Sequence, residues 1–198
     1  MTEEVPERSI KLTDPRTLRA YAHPLRMRLI GLLRSDGPMT ATQAAARLDD
    51  NVPNCSFHLR QLAKYGFAER VAGADARERP WRATTRYTSW DDDSDDPVMK
   101  AATDQLNNVV LALYVQYAQD YLAVRGDEPV EWRAAAGFGD TLLHVTAGEL
   151  RELTEEVDKL LARYDERVAD PASRPPGSRP VKIIQMAVPR GPVNPQVH

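Results

Sequence analysis

Cysteine is almost absent from this 198-residue sequence, since Cys55 is its only representative. A single thiol excludes an intrachain disulfide and every metal site built from clustered thiolates. Long apolar runs are also missing, because the longest, residues 109–115, is far shorter than the roughly 20 residues of a membrane span. The N-terminal residues MTEEVPERS contain no apolar export signal. These absences predict a soluble, cytoplasmic protein with no membrane partner.

Sequence motifs of familiar enzyme classes are missing as well. The sequence has no nucleophile elbow, phosphate-binding loop, zinc-protease motif or spaced carboxylate pair with a recognisable partner. The acidic run at residues 91–96 resembles a calcium loop only in composition, because Asp96 stands where glycine is needed and Ala102 where glutamate is needed. We therefore expect no catalytic activity, no cofactor and no metal site.

The net charge of −3 averages two unlike halves of the chain. Residues 1–89 contain 15 lysines and arginines against 10 acidic residues, a balance of +5, whereas residues 90–198 contain 11 against 19, a balance of −8. A basic front half joined to an acidic back half favours a domain that faces DNA and a separate module that does not.

Four helices are predicted in the front half. Residues 15–22 and 24–34 carry apolar residues at helical spacing. Residues 40–48 predict a short, alanine-rich helix that lets a neighbour approach closely. After a break, Pro53 stands where a helix over residues 54–65 would begin.

The helix over residues 54–65 has two unlike faces. Cys55, Leu59 and Leu62 form an apolar stripe, so Cys55 is expected to be a core residue rather than a redox sensor. The opposite face is predicted to contact DNA through Asn54, Ser56, Phe57, Arg60, Gln61 and Lys64.

Four of these side chains have chemistry suited to specific groups on DNA. Arg60 and Gln61 have the donors and acceptors for bidentate hydrogen bonds to guanine and adenine edges. Phe57 offers an apolar contact to a thymine methyl group, and Lys64 a contact to a phosphate.

A hairpin wing is predicted directly after this helix. Residues 67–72 and 81–88 have the composition of two strands, and the second alternates apolar and polar side chains. The turn-rich loop between them carries Arg77 and Arg79, which we expect to reach a minor groove or the DNA backbone.

The back half is predicted to begin with a long dimerisation helix. We place a DNA-binding domain at residues 13–89 and an acidic linker at 90–96, followed by a helix over residues 97–124. We expect its apolar stripe, including Leu106 and Leu113, to pair with a second copy across a two-fold axis. The stripe consists of Met99, Ala102, Leu106, Val110, Leu113, Tyr117, Tyr121 and Val124.

A small strand-helix-strand module is predicted to follow. Residues 141–145 and 181–188 are expected to be strands, and Thr146 with Glu149 forms a capping box that opens a helix between them. The apolar side chains of this helix are expected to face the protein interior. They are Leu150, Leu153, Val157, Leu160, Leu161 and Tyr164. The overall class is thus α+β, mainly α. Residues 97–188 would form a dimerisation and possible effector region, before a disordered tail at 189–198.

Aromatic residues in the back half allow two interpretations. Tyr114, Tyr117, Tyr121 and Trp132 are candidates for lining the pocket of a small-molecule effector, although aromatic residues at helical spacing are more often core. The histidines of the front half, His23 and His58, are expected to cap or pack rather than to bind metal.

The front half also resembles a known family. The runs AHPLRMRLIGLL, TATQAAARL, SFHLRQLAKYGFAERV and RERPWRAT resemble the ArsR-type winged helix-turn-helix regulators, especially an actinobacterial branch with a longer C-terminal region. The resemblance covers residues 13–88 and implies a dimer that binds an operator, usually as a repressor. Metal sensing is not carried over, because residues 40–48 contain no cysteine and residues 97–124 no histidine.

The sequence therefore predicts a transcriptional regulator that binds double-stranded DNA as a homodimer on a pseudo-palindromic operator. Two alternatives stay open at this point. A winged helix can instead bind another protein without sequence-specific DNA binding, and the C-terminal region could contain an unrecognised enzyme site.

Overall fold

The computed structural model describes residues 7–72 and 79–191. The described chain is mainly helical with two small sheets, which confirms the α+β, mainly α class. Its elements are β1 (Glu7–Leu12), α1 (Pro15–Tyr21), α2 (Pro24–Asp36), α3 (Ala41–Leu48), α4 (Val52–Lys64), β2 (Ala68–Arg70), β3 (Trp81–Ala83), β4 (Thr85–Trp90), α5 (Pro97–Val124), α6 (Val130–Ala135), α7 (Ala147–Ala162) and α8 (Asp165–Ala169). A 3₁₀ turn at Pro171–Ser173 follows. The predicted tail lies mostly in residues 192–198, outside the described range.

Side-chain caps fix where the front helices begin. Thr40 and Gln43 form a reciprocal capping box at the start of α3. The side chain of Asn51 accepts a hydrogen bond from the Asn54 amide at 2.8 Å, so α4 begins at Val52, two residues earlier than predicted. Between the two helices the backbone of Asp49 is left-handed, with φ 51°. These signals confirm the predicted helix-turn-helix order.

The predicted hairpin is present, but its second strand is divided. β2 and β3 pair antiparallel, whereas β4 leaves the hairpin and pairs in parallel with β1. The strand β1 was not predicted, so the domain begins before residue 13. Arg34 anchors β4 to the helices, since its guanidinium donates to the Thr85 carbonyl and to the Thr88 hydroxyl, each at 2.8 Å.

One hydrophobic core joins α1 to α4, the hairpin and the first part of α5. Its fully buried side chains include Leu18, Leu29, Leu62, Phe67 and Leu106. Cys55 belongs to this core with no exposed surface, as predicted, and burial raises the pKa of its thiol. The core sits directly beneath α4, so the position of that helix is fixed by close packing.

The first half of the predicted apolar stripe of α5 packs inside the chain's own domain. Ala102, Leu106, Val110 and Leu113 are buried, and α5 contacts α1 and α2. The expectation that Leu106 and Leu113 pair with a second copy is therefore wrong, because α1 and α2 already cover them.

The two strands predicted in the back half are not formed. Residues 141–145 and 181–188 have no regular secondary structure, while the short helix α6 was not predicted. A strand requires a hydrogen-bonded neighbour, and neither segment pairs with one in the described ranges. The capping box of α7 is present as predicted, but that helix buries none of its residues. The apolar face expected to turn inward is therefore not covered within one chain.

Candidate nucleic-acid interface

Helix α4 presents a polar face opposite its core face. Cys55, His58, Leu59 and Leu62 are buried. On the other side Phe57 is 49% exposed, and Arg60 and Lys64 are exposed as well. An anchored helix with a free polar face is the form required to enter a major groove.

The six residues predicted on this face differ in how freely they can reach a ligand. Phe57, Arg60 and Lys64 are exposed, whereas Asn54, Ser56 and Gln61 are half-buried at its sides. The Asn54 amide group donates to the Asp50 carboxylate at 3.0 and 3.2 Å, which ties that side chain to the turn before α4. Arg60 donates to the Ser56 hydroxyl at 3.1 Å, which orients its guanidinium along the helix.

The hairpin wing adds basic side chains on one flank of α4. Arg79 is exposed two residues before β3, and its carbonyl accepts a hydrogen bond from the Arg70 guanidinium. Arg77 lies outside the described residues. The guanidinium of Arg70 stacks on the Trp81 ring at 3.9 Å, and the Arg82 guanidinium pairs with the Glu69 carboxylate at 2.7 Å.

Arg70 is the interface residue that the sequence reasoning missed. Burial lowers the pKa of its guanidinium, and the nearby charges of Arg79 and Arg60 lower it further. The charges of Arg60 on α4 and of Arg79 on the wing thus act on the same guanidinium. The available signal was the antiparallel register of the predicted hairpin, which places Arg70 opposite Trp81.

Two histidines pack together where α2 meets α4. The rings of His23 and His58 have centroids 4.3 Å apart. The Nδ1 atom of His23 accepts from the Leu25 amide at 3.2 Å and so caps α2, which confirms its predicted capping role. His58 is buried, and its Nδ1 atom has no partner among the described residues.

The histidine pair predicts a loss of stability in acid. Burial lowers both histidine pKa values from 6.5; the charge of Arg26 lowers them further, while Asp50 raises that of His58. The unfolded chain thus binds protons first as the pH falls below 6.5, and the free energy of unfolding should fall with it. Urea unfolding at fixed protein concentration, from neutral to acidic pH, measures this fall.

A His23→Asn/His58→Met variant provides the comparison for the acid effect. Asparagine retains a capping side chain at position 23, and methionine suits a buried position without titrating. We expect its unfolding free energy to depend less on pH over the same range. Equal slopes for both proteins would show that other groups cause the acid sensitivity.

The four predicted pocket aromatics contact the chain's own residues. Lys182 lies 5.6 Å from the centroid of the Tyr117 ring, and Arg179 lies 4.8 Å from that of Trp132. The ring of Tyr121 faces Phe138 at 6.3 Å, and Tyr114 is half-buried. The C-terminal segment therefore covers part of this surface, and the effector pocket stays a prediction.

Comparison with known proteins addresses the front half only. A family model described as a helix-turn-helix domain matches residues 21–71, a span that runs from the end of α1 to just beyond β2. A search among curated proteins finds no match to the chain. Residues 21–71 thus form a helix-turn-helix domain, which supports a DNA-binding regulator of the winged helix-turn-helix kind.

Membrane spans and clustered metal ligands are both absent from the part of the chain that the structure describes. Among residues 7–72 and 79–191, no helix is both long and apolar enough to span a bilayer. The same residues contain no group of three or more histidine, cysteine, aspartate or glutamate side chains placed to hold a metal ion.

Proposed function

We propose that this protein is a sequence-specific transcriptional regulator of the ArsR type, which represses by binding a pseudo-palindromic operator as a homodimer. The observation that carries the proposal is the free face of α4, with Phe57, Arg60 and Lys64 exposed directly opposite the buried Leu59 and Leu62. The side chains of this face have the chemistry to contact base edges and phosphates.

The dimensions of α4 suit the proposed ligand. A helix with side chains is about 10–12 Å across, and the major groove of B-DNA is about 12 Å wide. Within the groove Arg60 and Gln61 would read base edges, Phe57 would contact a thymine methyl group, and Lys64 would contact a phosphate. Arg70 and Arg79 would follow the backbone beside them.

The proposed dimer uses the outward face of α5. Leu111, Val115, Ala118 and Leu122 are spaced by four, three and four residues, so they form a second apolar stripe along the same helix. The three large side chains of this stripe are 45–48% exposed. This stripe lies opposite the face that packs on α1 and α2, and a second copy of α5 would cover it.

The rest of the back half supports the same proposal. Beyond Leu113 no described residue is buried, although this region contains many large apolar side chains. Exposed apolar surface on this scale marks an interaction site. We propose that pairing of two copies covers part of it, and that residues 97–188 include any effector site. We propose no catalytic activity.

The two-fold axis determines the expected operator. Two copies of α4 in successive major grooves on one side of the duplex lie one helical turn apart, about 34 Å, so the half-sites should be inverted repeats at that spacing. Because the proposed ligand is chromosomal DNA, we propose that the protein acts in the cytoplasm. The proposal that the protein represses transcription, rather than activating it, rests only on the resemblance to ArsR-type regulators.

Selection from genomic DNA tests the proposal. Purified protein is mixed with sheared DNA of its own genome at moderate salt, and the retained fragments are sequenced. We expect a small set that shares an inverted repeat with half-site centres about 10 base pairs apart. Retention of fragments without a common motif would contradict sequence-specific regulation and favour a protein-interaction role for the winged helix.

A further inference from the structure

Three arginines surround a surface pocket on the flank of α4 away from the wing. The pocket has a volume of about 330 Å³ and lies where α1 and the beginning of α2 meet the end of α4. Its lining consists of Arg16, Arg19, Ala20, Arg26, Gln61 and Tyr65. The lining contains no carboxylate, so the three positive charges have no counterion within the pocket.

Arg26 is the strongest sign that the pocket takes an anion. Its Nε atom is buried, and it has no hydrogen-bond partner among the described residues. One terminal nitrogen of the same guanidinium donates to the Arg19 carbonyl at 3.2 Å, which holds the group at the pocket. A buried donor without an acceptor is costly, and the Arg26 side chain would satisfy it by turning toward an anion in the pocket.

Asp14, the acidic residue closest in sequence to Arg16, is engaged elsewhere. Asp14 caps α1, where its carboxylate accepts from the amides of Arg16 and Thr17 at 2.9 and 3.0 Å. Hydrogen bonds from Thr17 are the main reason that the pKa of this carboxyl is lowered, and the charge of Arg16 contributes least. The Asp14 carboxylate is therefore committed to the helix cap rather than to the arginine cluster.

The position of the pocket identifies the source of the anion. Gln61 and Tyr65 belong to the side of α4 that turns toward α1, whereas Arg60 lies on the exposed face of the helix and its charge acts on Arg70 of the wing. Cations thus flank α4 on both sides. A helix in a major groove has one phosphate strand along each flank, so these cations would meet both strands.

We propose that Arg16, Arg19 and Arg26 form a binding site for a backbone phosphate of the operator, at the groove edge opposite the wing. This site rests on the proposed function, and it adds contacts that fix the register of α4 without reading sequence. Arginine suits the role because its planar guanidinium pairs with phosphate through two parallel hydrogen bonds.

The test is the salt dependence of operator binding by an Arg16→Gln/Arg19→Gln variant. Arg26 is kept because it is half-buried beside the histidine pair. Log affinity falls linearly as log salt rises. Loss of one phosphate contact in each subunit should make this fall less steep, by about 1.8 in the magnitude of the slope. At about 0.1 M salt this corresponds to roughly 60-fold weaker binding if the two proteins are equal at 1 M. The ranking of operator variants should not change, because a phosphate contact does not read bases.

A matched control removes the same charge elsewhere. The Arg133→Gln/Arg151→Gln variant alters two exposed arginines of α6 and α7, outside the DNA-binding domain. We expect its slope to equal that of the unchanged protein. A slope reduced equally in both variants would overturn the phosphate site, since net charge alone would explain the effect.

Three other outcomes would overturn the site by different routes. If the arginine variant keeps the full slope while the unchanged protein still prefers its operator, the phosphate site is wrong and the proposed function stands. If the unchanged protein shows no preference among DNA sequences, the proposed function itself fails. Stoichiometric binding of inorganic tripolyphosphate in calorimetry that is lost in the arginine variant, while tripolyphosphate leaves operator affinity unchanged, would identify a free polyphosphate as the ligand instead.

Discussion

A Leu111→Glu/Leu122→Glu variant is expected to be a folded monomer that has lost operator binding. Both side chains are about half exposed on the outward stripe of α5, so glutamate is tolerated by a single chain. In the proposed dimer the same carboxylates would be buried against apolar side chains and against their own symmetry copies, which is strongly unfavourable. Light scattering should give the mass of one chain, and circular dichroism should keep the helical signal.

The effect on DNA should be large because a monomer retains only half of the specific contacts. Operator affinity should fall by at least about a thousandfold, toward the level of non-specific binding. The matched control is Val98→Glu, which changes an exposed position of α5 that lies off the stripe. It should stay dimeric. A dimer mass for the double variant would contradict the proposed role of the stripe.

A Leu106→Glu variant separates the two faces of α5. Leu106 has no exposed surface and packs within the chain's own core. A carboxylate there should unfold the DNA-binding domain rather than release a folded monomer. Loss of the cooperative thermal transition in this variant, together with its retention in the outward-stripe variant, assigns one face to folding and the other to pairing.

An Arg60→Ala/Gln61→Ala variant is expected to lose its preference for the operator. Each bidentate contact to a base edge contributes about 1–3 kcal/mol of discrimination, and a dimer would lose four of them. Even at the lower limit the total of about 4 kcal/mol means roughly a thousandfold loss of operator affinity. Titration of the operator and of a scrambled duplex, in parallel, measures the preference directly.

The single substitution Arg60→Lys provides the charge-matched comparison. Lysine keeps the positive charge but cannot form the planar, bidentate pair with guanine. Preference at one base position of each half-site should therefore relax, while the salt dependence is retained. A uniform loss on operator and scrambled DNA alike would show that Arg60 contacts only phosphates.

Local signals in the sequence were sufficient to predict the helix-turn-helix. The apolar stripe with Cys55 and the break at Asp49 act over a few residues, as does the capping box at Thr146 in the back half, and the structure contains each of them. The hairpin over β2 and β3 follows from the same kind of short-range pattern. These features depend on intrinsic preferences that tertiary packing reinforces.

Features that depend on distant parts of the chain could not be predicted. The parallel pairing of β1 with β4 joins residues separated by the whole helical domain, and an acidic N-terminus gives no sign of it. Residues 181–188 are predicted to form a strand, but the described ranges contain no neighbouring strand that pairs with them. The arginine pocket likewise combines α1, α2 and α4, so no single sequence pattern contains it.

The two stripes of α5 show a third reason for error. A helix of this length can carry one apolar face for its own domain and another for a partner, and a periodicity of about 3.6 residues does not say which is which. The sequence predicts Leu106 and Leu113 as dimer contacts only if α5 has a single apolar face. Burial in the structure identifies that face as internal and leaves Leu111, Val115 and Leu122 free.

The most direct test of α4 as a groove-reading helix is protection of guanine N7 from methylation by dimethyl sulfate on the selected operator. The N7 atom lies in the major groove, so bound protein should protect guanines in two segments about 10 base pairs apart. Protection should disappear with the Arg60→Ala/Gln61→Ala variant at a concentration that still saturates the DNA. Full methylation of both segments under bound wild-type protein would contradict the account.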